Sequence, residues 1–214
     1  MSELTYRIYQ CLRPTCRYRF PLGPGIEAPP RCPKCAGPLR LSHVADAGLK
    51  NETSEPPPPG IALEVLLDNI RSTFNVGAMF RTADGAGVRH VHLCGTTPTP
   101  DHPKVVKTAL GAEFTVPWTQ HWNALDAVQS IQARGLQVWA LESAPGATSL
   151  YETHPLPQDP PVLLVVGNEV TGVDPEILPL CDRILRIPMQ GYKRSLNVAI
   201  AFAIAVYHLR YTSG

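Results

Sequence analysis

Ile187-Pro-Met-Gln-Gly-Tyr-Lys-Arg-Ser-Leu-Asn197, continuing as Val198-Ala-Ile-Ala-Phe-Ala-Ile-Ala-Val-Tyr-His-Leu209, joins two unlike halves. The first half is polar and broken by Gly and Pro. The second is an apolar run rich in helix-forming alanine. Ser195 stands where the N-cap of that helix is expected, its hydroxyl offered to the free N–H groups of the first turn. A helix apolar almost all round must be covered on several sides. Its 14 or so residues fall short of the roughly 20 that cross a bilayer. A polar loop feeding a buried helix puts a ligand site on a rigid support.

Upstream of this stretch the chain alternates short apolar runs with helical segments. Strands are predicted at 61–67, 88–94, 136–141, 161–167 and 183–187. Helices are predicted at 77–85, 122–133 and, briefly, 175–180. Short apolar runs alternating with helices imply βαβ units and a doubly wound, mostly parallel α/β sheet covered on both faces.

Residues 46–60, ending Pro-Pro-Pro-Pro-Gly60, read as a semi-rigid linker. They divide a head (1–45) from a body (61–214). Overall charge is +1, but residues 1–50 carry eight Lys/Arg against three acids, a net +5, and the remainder is net −4. A basic head suggests a polyanionic partner, although a solvated, loop-rich surface explains the same charge. Tyr6, Tyr9, Tyr18 and Phe20, interleaved with Arg7, Arg13, Arg17 and Arg19, could stack on bases or simply fill a small core. The first residues hold no apolar signal-like segment, which points to a cytoplasmic protein whose cysteines are thiols or metal ligands.

In the head, Cys11-x4-Cys16 and Cys32-x2-Cys35 have the separation of a four-thiolate zinc site. Bound zinc would supply folding energy that so small a head lacks. Gly37 is expected to relieve the turn after Cys35, and His43 is an outside candidate ligand. Cys94 and Cys181 read as buried thiols.

Three body segments carry the chemistry: Asp68–Gly87, with Asn75 and Arg81; Val165-Val-Gly-Asn-Glu-Val-Thr-Gly172, with Glu169; and the opening stretch. Taken singly, Asn75 could be a plain N-cap at the helix start, Arg81 a solvated helix residue, and 165–172 a tight turn. No Gly-Lys-Ser/Thr follows the second segment, and no Gly-x-Gly-x-x-Gly follows the first strand, so phosphate-loop and dinucleotide motifs are missing.

In this order and spacing the segments resemble the three motifs of the SpoU/TrmH-like branch of the SPOUT RNA ribose 2′-O-methyltransferases. Gly167-Asn-Glu169, Ile187-Pro-Met189 and Ser195-Leu-Asn197 are the most specific parts, and Lys107-Thr-Ala-Leu-Gly-Ala112 also matches. The resemblance spans about 61–211. It implies a C-terminal trefoil knot, a homodimer packed through the last helix, and S-adenosylmethionine held by Leu141, Gly167, Ile187, Met189 and Leu196. It also implies a catalytic Arg81 oriented by Asn75, with Glu169, Ser195 and Asn197 arranging the loop and the nucleotide. A guanidinium almost never deprotonates, so Arg81 suits charge stabilisation better than general-base work. Lys193-Arg194 stands where many relatives carry an acid, adding two charges that could meet RNA phosphates. The expected reaction is methyl transfer to a ribose 2′-hydroxyl of rRNA or tRNA. Competing readings are an RNA-binding knotted protein without catalysis and a base methyltransferase.

Overall fold

A computed structural model describes residues 5–46 and 60–212, and the chain divides into two compact units, Met1–Glu55 and Pro56–Gly214. Most of the predicted linker, residues 47–59, lies outside the described residues.

The first unit is a three-stranded antiparallel sheet of β1 (Thr5–Cys11), β2 (Arg19–Leu22) and β3 (Leu39–Asp46), ordered β2-β1-β3. One face carries Tyr9, Phe20 and Tyr18, with ring centroids 6.3 Å (Tyr9–Phe20) and 5.4 Å (Tyr18–Phe20) apart and near-parallel planes. On the other face, Arg19 and Arg40 both donate to Oε1 of Gln10, at 3.5 and 3.4 Å. Among the described residues the one ion pair between permanently charged groups, Glu64 with Arg134, lies in the second unit; His92 hydrogen-bonds the same carboxylate, while burial pushes its pKa down to about 4.

The second unit is built on seven strands: β4 (Leu63–Asp68), β5 (His90–Cys94), β6 (Trp118–His121), β7 (Gln137–Leu141), β8 (Thr148–Ser149), β9 (Val162–Val166) and β10 (Arg183–Arg186). Their order is β6-β5-β4-β9-β7-β10-β8, and every pairing between them is parallel. The central β9, Val-Leu-Leu-Val-Val, is buried on both faces, which accounts for its lack of alternation. Helices α1 (Thr73–Gly85), α2 (Pro103–Ala109) and α4 (Val198–Tyr211) contribute to one apolar core, with Phe80 and Phe202 fully buried. Helix α3 (Ala124–Gln132) packs Ala127, Val128 and Ile131 into the core on the other face. The predicted doubly wound α/β class is therefore the observed one.

The boundaries differ in instructive places. Helix α1 begins four residues before the predicted 77, because the Ser72 hydroxyl accepts from Asn75 N and caps it. Asn75 thus sits inside the first turn, not at or before the helix start. The short helix predicted at 175–180 shrinks to a 3-10 turn at Leu178–Leu180, where Pro179 removes a backbone donor. The α2 and β6 elements, in a polar and irregular stretch, escape the periodicity reading altogether.

Helix α4 corrects one expectation. Its N-cap is Asn197, not Ser195: the Asn197 Oδ1 accepts from Ala199 N at 2.9 Å and from Ile200 N at 3.4 Å. The helix buries Phe202, Ala205, Val206 and Leu209 within the chain and leaves Ile200, Tyr207 and Tyr211 about half exposed. Arg210, by contrast, is buried, donating from Nη1 to Ile61 O at 2.7 Å and from Nε to Ala86 O at 2.9 Å. Carbonyl partners satisfy this cation while burial lowers its pKa. No helix among the described residues is long and apolar enough to cross a membrane.

Candidate functional site

Open parallel sheets place ligands beyond the carboxyl ends of their strands. Here the segments leaving β7, β9 and β10, with the start of α4, line one cavity. All five residues expected to hold the cofactor, Leu141, Gly167, Ile187, Met189 and Leu196, line it, as do Glu169, Ser195 and Asn197. Its apolar side chains offer a surface to a flat heterocycle, and the carboxylates of Glu142 and Glu169 on the lining suit a cation such as a sulfonium.

The loop after β9 is pinched shut by reciprocal bonds between Asn168 and Gly172, both at 3.0 Å, and Asn168 Oδ1 accepts from Val170 N and Thr171 N. Gly167 is required because a Cβ there would run into the Gly172–Val173 backbone. Two carboxylates hold the loop at its ends. Glu142, to which no sequence motif points, accepts from Val173 N at 3.0 Å and Ser143 N at 2.7 Å. Gly172 has φ +76°, and a Cβ on it would meet Glu142 Oε2.

Glu169 reaches across to the start of α1. It accepts from Arg71 N at 2.9 Å, Ser72 N at 3.2 Å and Asn75 Nδ2 at 2.9 Å. A carboxylate here also meets the positive end of the helix dipole. Partial burial works to raise its pKa, but these donors outweigh it and hold the carboxyl below its ordinary value. Asn75 in turn accepts from Asn197 Nδ2 at 3.1 Å. One residue from each of the three motifs thus joins a single hydrogen-bonded chain.

Arg81 stands apart. It does not line the cavity, and it lies on the exposed side of α1 with Phe74 and Ala78. Six residues amount to about 600° of helix, so Asn75 and Arg81 face different directions, and no hydrogen bond joins them. Within the chain Asn75 makes its hydrogen bonds to Glu169 and Asn197, not to Arg81. Ser195 lines the cavity from an exposed loop position, and Arg194 lies beside it on the lining. Asp68, likewise without a sequence signal, is buried and accepts from Asn69 Nδ2 at 2.7 Å and Asp174 N at 3.2 Å, anchoring the segment beyond the loop.

In the first unit the Sγ atoms of Cys11, Cys16, Cys32 and Cys35 all lie within 4.8 Å of one another. The Cys11–Cys35 and Cys16–Cys32 separations are 3.6 and 3.9 Å. A tetrahedral ion with zinc–sulfur bonds of about 2.3 Å needs sulfurs about 3.8 Å apart. The four free thiols therefore fit zinc as they stand. The Gly37 N–H, the largest influence, helps to bring Cys35 down to about 7. The left-handed backbone falls on Ala36 (φ 55°), not on Gly37, whose missing Cβ instead makes room for Cys11 Sγ and Arg13. His43 is not part of the cluster.

The profile of the family described as SpoU rRNA methylase matches residues 62–207. The chain is 38% identical over 146 residues to the 23S rRNA (guanosine(2553)-2′-O)-methyltransferase RlmP of Bacillus subtilis, covering 68% of this chain and 57% of that protein. It is 32% identical to the tRNA (guanosine(18)-2′-O)-methyltransferase of Escherichia coli, covering 68% of this chain and 61% of that one. An AdoMet-bound rRNA methyltransferase structure from Sinorhizobium meliloti superposes with a TM-score of 0.66 at 32% identity, over 71% of this chain and 56% of that chain. The alignments thus span about three-fifths of the length of these relatives. With the profile covering the greater part of the body and the three motifs meeting at one cavity, the chain belongs to the SpoU rRNA methylase family.

Proposed function

We propose that the protein methylates a ribose 2′-hydroxyl of rRNA or tRNA using S-adenosylmethionine. The observation that carries this reading is the Asn75–Glu169–Asn197 chain, which links three motif segments beside a cavity fit for a cationic, partly apolar ligand. The names of the relatives, 2′-O-methyltransferases of rRNA and tRNA, support it.

S-adenosylmethionine supplies a methyl group on a positively charged sulfur, already activated for in-line displacement. In the transfer the S–CH3 bond breaks as the O–CH3 bond forms, the sulfur keeps the bonding pair, and the hydroxyl proton ends in solvent. The protein's share is therefore positioning and charge stabilisation. Leu141, Gly167, Ile187, Met189 and Leu196 hold the cosubstrate. Glu169, Ser195 and Asn197 arrange the loop and the nucleotide. Arg81 steadies the developing alkoxide or an adjacent phosphate, and Arg194 adds a cation at the cavity.

Since Arg81 does not line the cavity of its own chain, the proposed site is completed by a second copy. The half-exposed Ile200, Tyr207 and Tyr211 of α4 offer the apolar face for such a homodimer. The C-terminal segments form the trefoil knot typical of the superfamily, a reading supported by β9 lying between β4 and β7 and by the return of the chain through 187–197 to α4. The head, 1–45, acts as a zinc-bound, basic RNA-gripping module joined through 46–60 to the methyltransferase body, 61–214. The reaction belongs in the cytoplasm, where rRNA and tRNA are available.

The test is to incubate the full chain with labelled S-adenosylmethionine and total RNA, then digest the RNA to nucleosides. Label in a 2′-O-methylnucleoside is the expected result. Label on a base, or none despite cosubstrate binding, refutes the proposal.

A further inference from the structure

The loop between β10 and α4 carries one large ring that neither the core nor the cavity uses. Met189, Arg194 and Ser195 lie on the cavity lining, whereas Tyr192, between them, does not. Tyr192 is 95% exposed, the most open of the large apolar side chains among the described residues. A single exposed ring is ordinary on a protein surface. The place of this one is what matters.

Its surroundings are open and positively charged. A Cβ on the preceding Gly191 would meet nothing within 4 Å. Among the described residues, no main-chain hydrogen bond is made by 188–196, so the loop also presents free backbone groups. Lys193 and Arg194 follow the ring; both are exposed, and neither pairs with an acid among the described residues. From Arg183 to Gly214 the sequence holds no acid at all. The charges are thus sorted: Glu142 and Glu169 lie on the lining, where a sulfonium suits them, and two cations stand on the loop beside the ring.

An exposed ring followed by two cations is the pairing that holds a single-stranded nucleotide, with the ring under a base and the cations at phosphates. Three steps of chain, at most about 10 Å, separate Tyr192 from Ser195 on the lining. A base resting on the ring therefore keeps its ribose near the cavity mouth. The adenine of the cosubstrate is a poor occupant, because Tyr192 is absent from the lining.

We propose that Tyr192 is the stacking platform for the base of the nucleotide being methylated, with Lys193 and Arg194 meeting its flanking phosphates. This inference rests on the methyltransferase reading. Every base has a face to stack, so the ring sets where the ribose lies and not which base is chosen.

The test uses the full chain with total RNA as the probe. Tyr192→Ala should lower kcat/KM for RNA about tenfold, the scale of one lost base–ring stack. KM for S-adenosylmethionine, the oligomeric state and the salt dependence of RNA binding should stay as in the unmutated chain. Tyr192→Phe, which keeps the ring, should recover most of the loss. Lys193→Gln/Arg194→Gln should instead flatten the plot of log affinity against log salt by about 1.5. Unchanged kcat/KM in Tyr192→Ala overturns the inference. So does a loss accompanied by dissociation of the oligomer, which would make the ring a contact between copies, or by a matching rise in KM for S-adenosylmethionine. An unmutated chain that methylates no ribose refutes the underlying reading as well, whereas a methylating chain indifferent to Tyr192→Ala refutes this inference alone.

Discussion

Asn197 Nδ2 donates to Asn75 Oδ1 at 3.1 Å across 122 residues of sequence, while the Asn197 Oδ1 caps helix α4. A single amide therefore starts the last helix and ties it to the first. The two tasks separate by substitution. Asn197→Ala removes both and should lower stability by about 1 kcal/mol, the usual cost of a lost N-cap, with turnover also falling. Asn197→Asp keeps the capping oxygen but replaces the donor with a negative charge facing Asn75 and Glu169. It should melt near the wild-type temperature yet be at least as inactive as the alanine variant. Thermal denaturation beside methyl-transfer assays checks both.

Glu142 grips the exit of the loop after β9 from the β7 side. Glu142→Ala should raise KM for S-adenosylmethionine several-fold while changing kcat little, and Glu142→Gln, which keeps one acceptor, should recover most of the affinity. Gly172→Ala should be worse, since it meets the Glu142 carboxylate and strains a backbone at φ +76°. Steady-state kinetics with varied cosubstrate decides this, and a fall confined to kcat argues against a positioning role.

The pKa of Glu169 is held below its ordinary value in the folded protein. A depressed carboxyl adds stability that is fully present above the unfolded value, about 4.3 for Glu. That contribution fades as pH falls through the lower folded value. Wild type should thus be more stable than Glu169→Gln at neutral pH, and the gap should close below about pH 4. Melting curves of both proteins across that range make the comparison. A gap independent of pH would show that the charge contributes nothing.

Arg81→Ala should abolish methyl transfer with S-adenosylmethionine affinity intact, because Arg81 is absent from the cavity lining. If the site is shared between copies, mixing Arg81→Ala with a cavity-blocked Gly167→Val variant should restore part of the activity. Calorimetry and the mixed assay report these outcomes separately. Persistent inactivity of verified mixed dimers would mean that each copy uses its own arginine.

Removal of residues 1–55 should leave a folded body that binds S-adenosylmethionine, while RNA affinity drops and its salt dependence weakens. The head supplies the clustered arginines, and every phosphate they no longer neutralise keeps its counterions, which flattens the salt slope. Filter binding at several salt concentrations measures both changes. RNA binding by the truncated chain equal to that of the full chain would remove the head from RNA recognition.

The sheet class is legible in the sequence because apolar strand runs leave strong local marks, whereas Leu141, Gly167, Ile187, Met189 and Leu196, all on the cavity lining, come from the family resemblance. Gly167 is forced by a backbone that passes against it, and the apolar run of β9 by burial on both sides. Capping is less legible: Ser195 and Asn197 are both good caps by type, and only the path of the chain decides between them. Asn75 is legible as a site residue but not in its role, because its partners Glu169 and Asn197 lie in distant segments that no periodicity connects. Glu142 leaves no signal beyond being an acid after a strand. Its partner is a main-chain N–H, which any residue but proline supplies.

The buried guanidinium of Arg210 has a consequence for biosynthesis. It bonds to carbonyls of Ile61 and Ala86, from the first part of the body to be made. A ribosome must make the whole body before that junction can close. A nascent chain halted before α4 would leave the α1 face without Phe202, Val206 and Leu209, with apolar surface open to aggregation. Completion of the body is thereby coupled to the last helix to emerge, which favours late, all-at-once closure over stepwise growth.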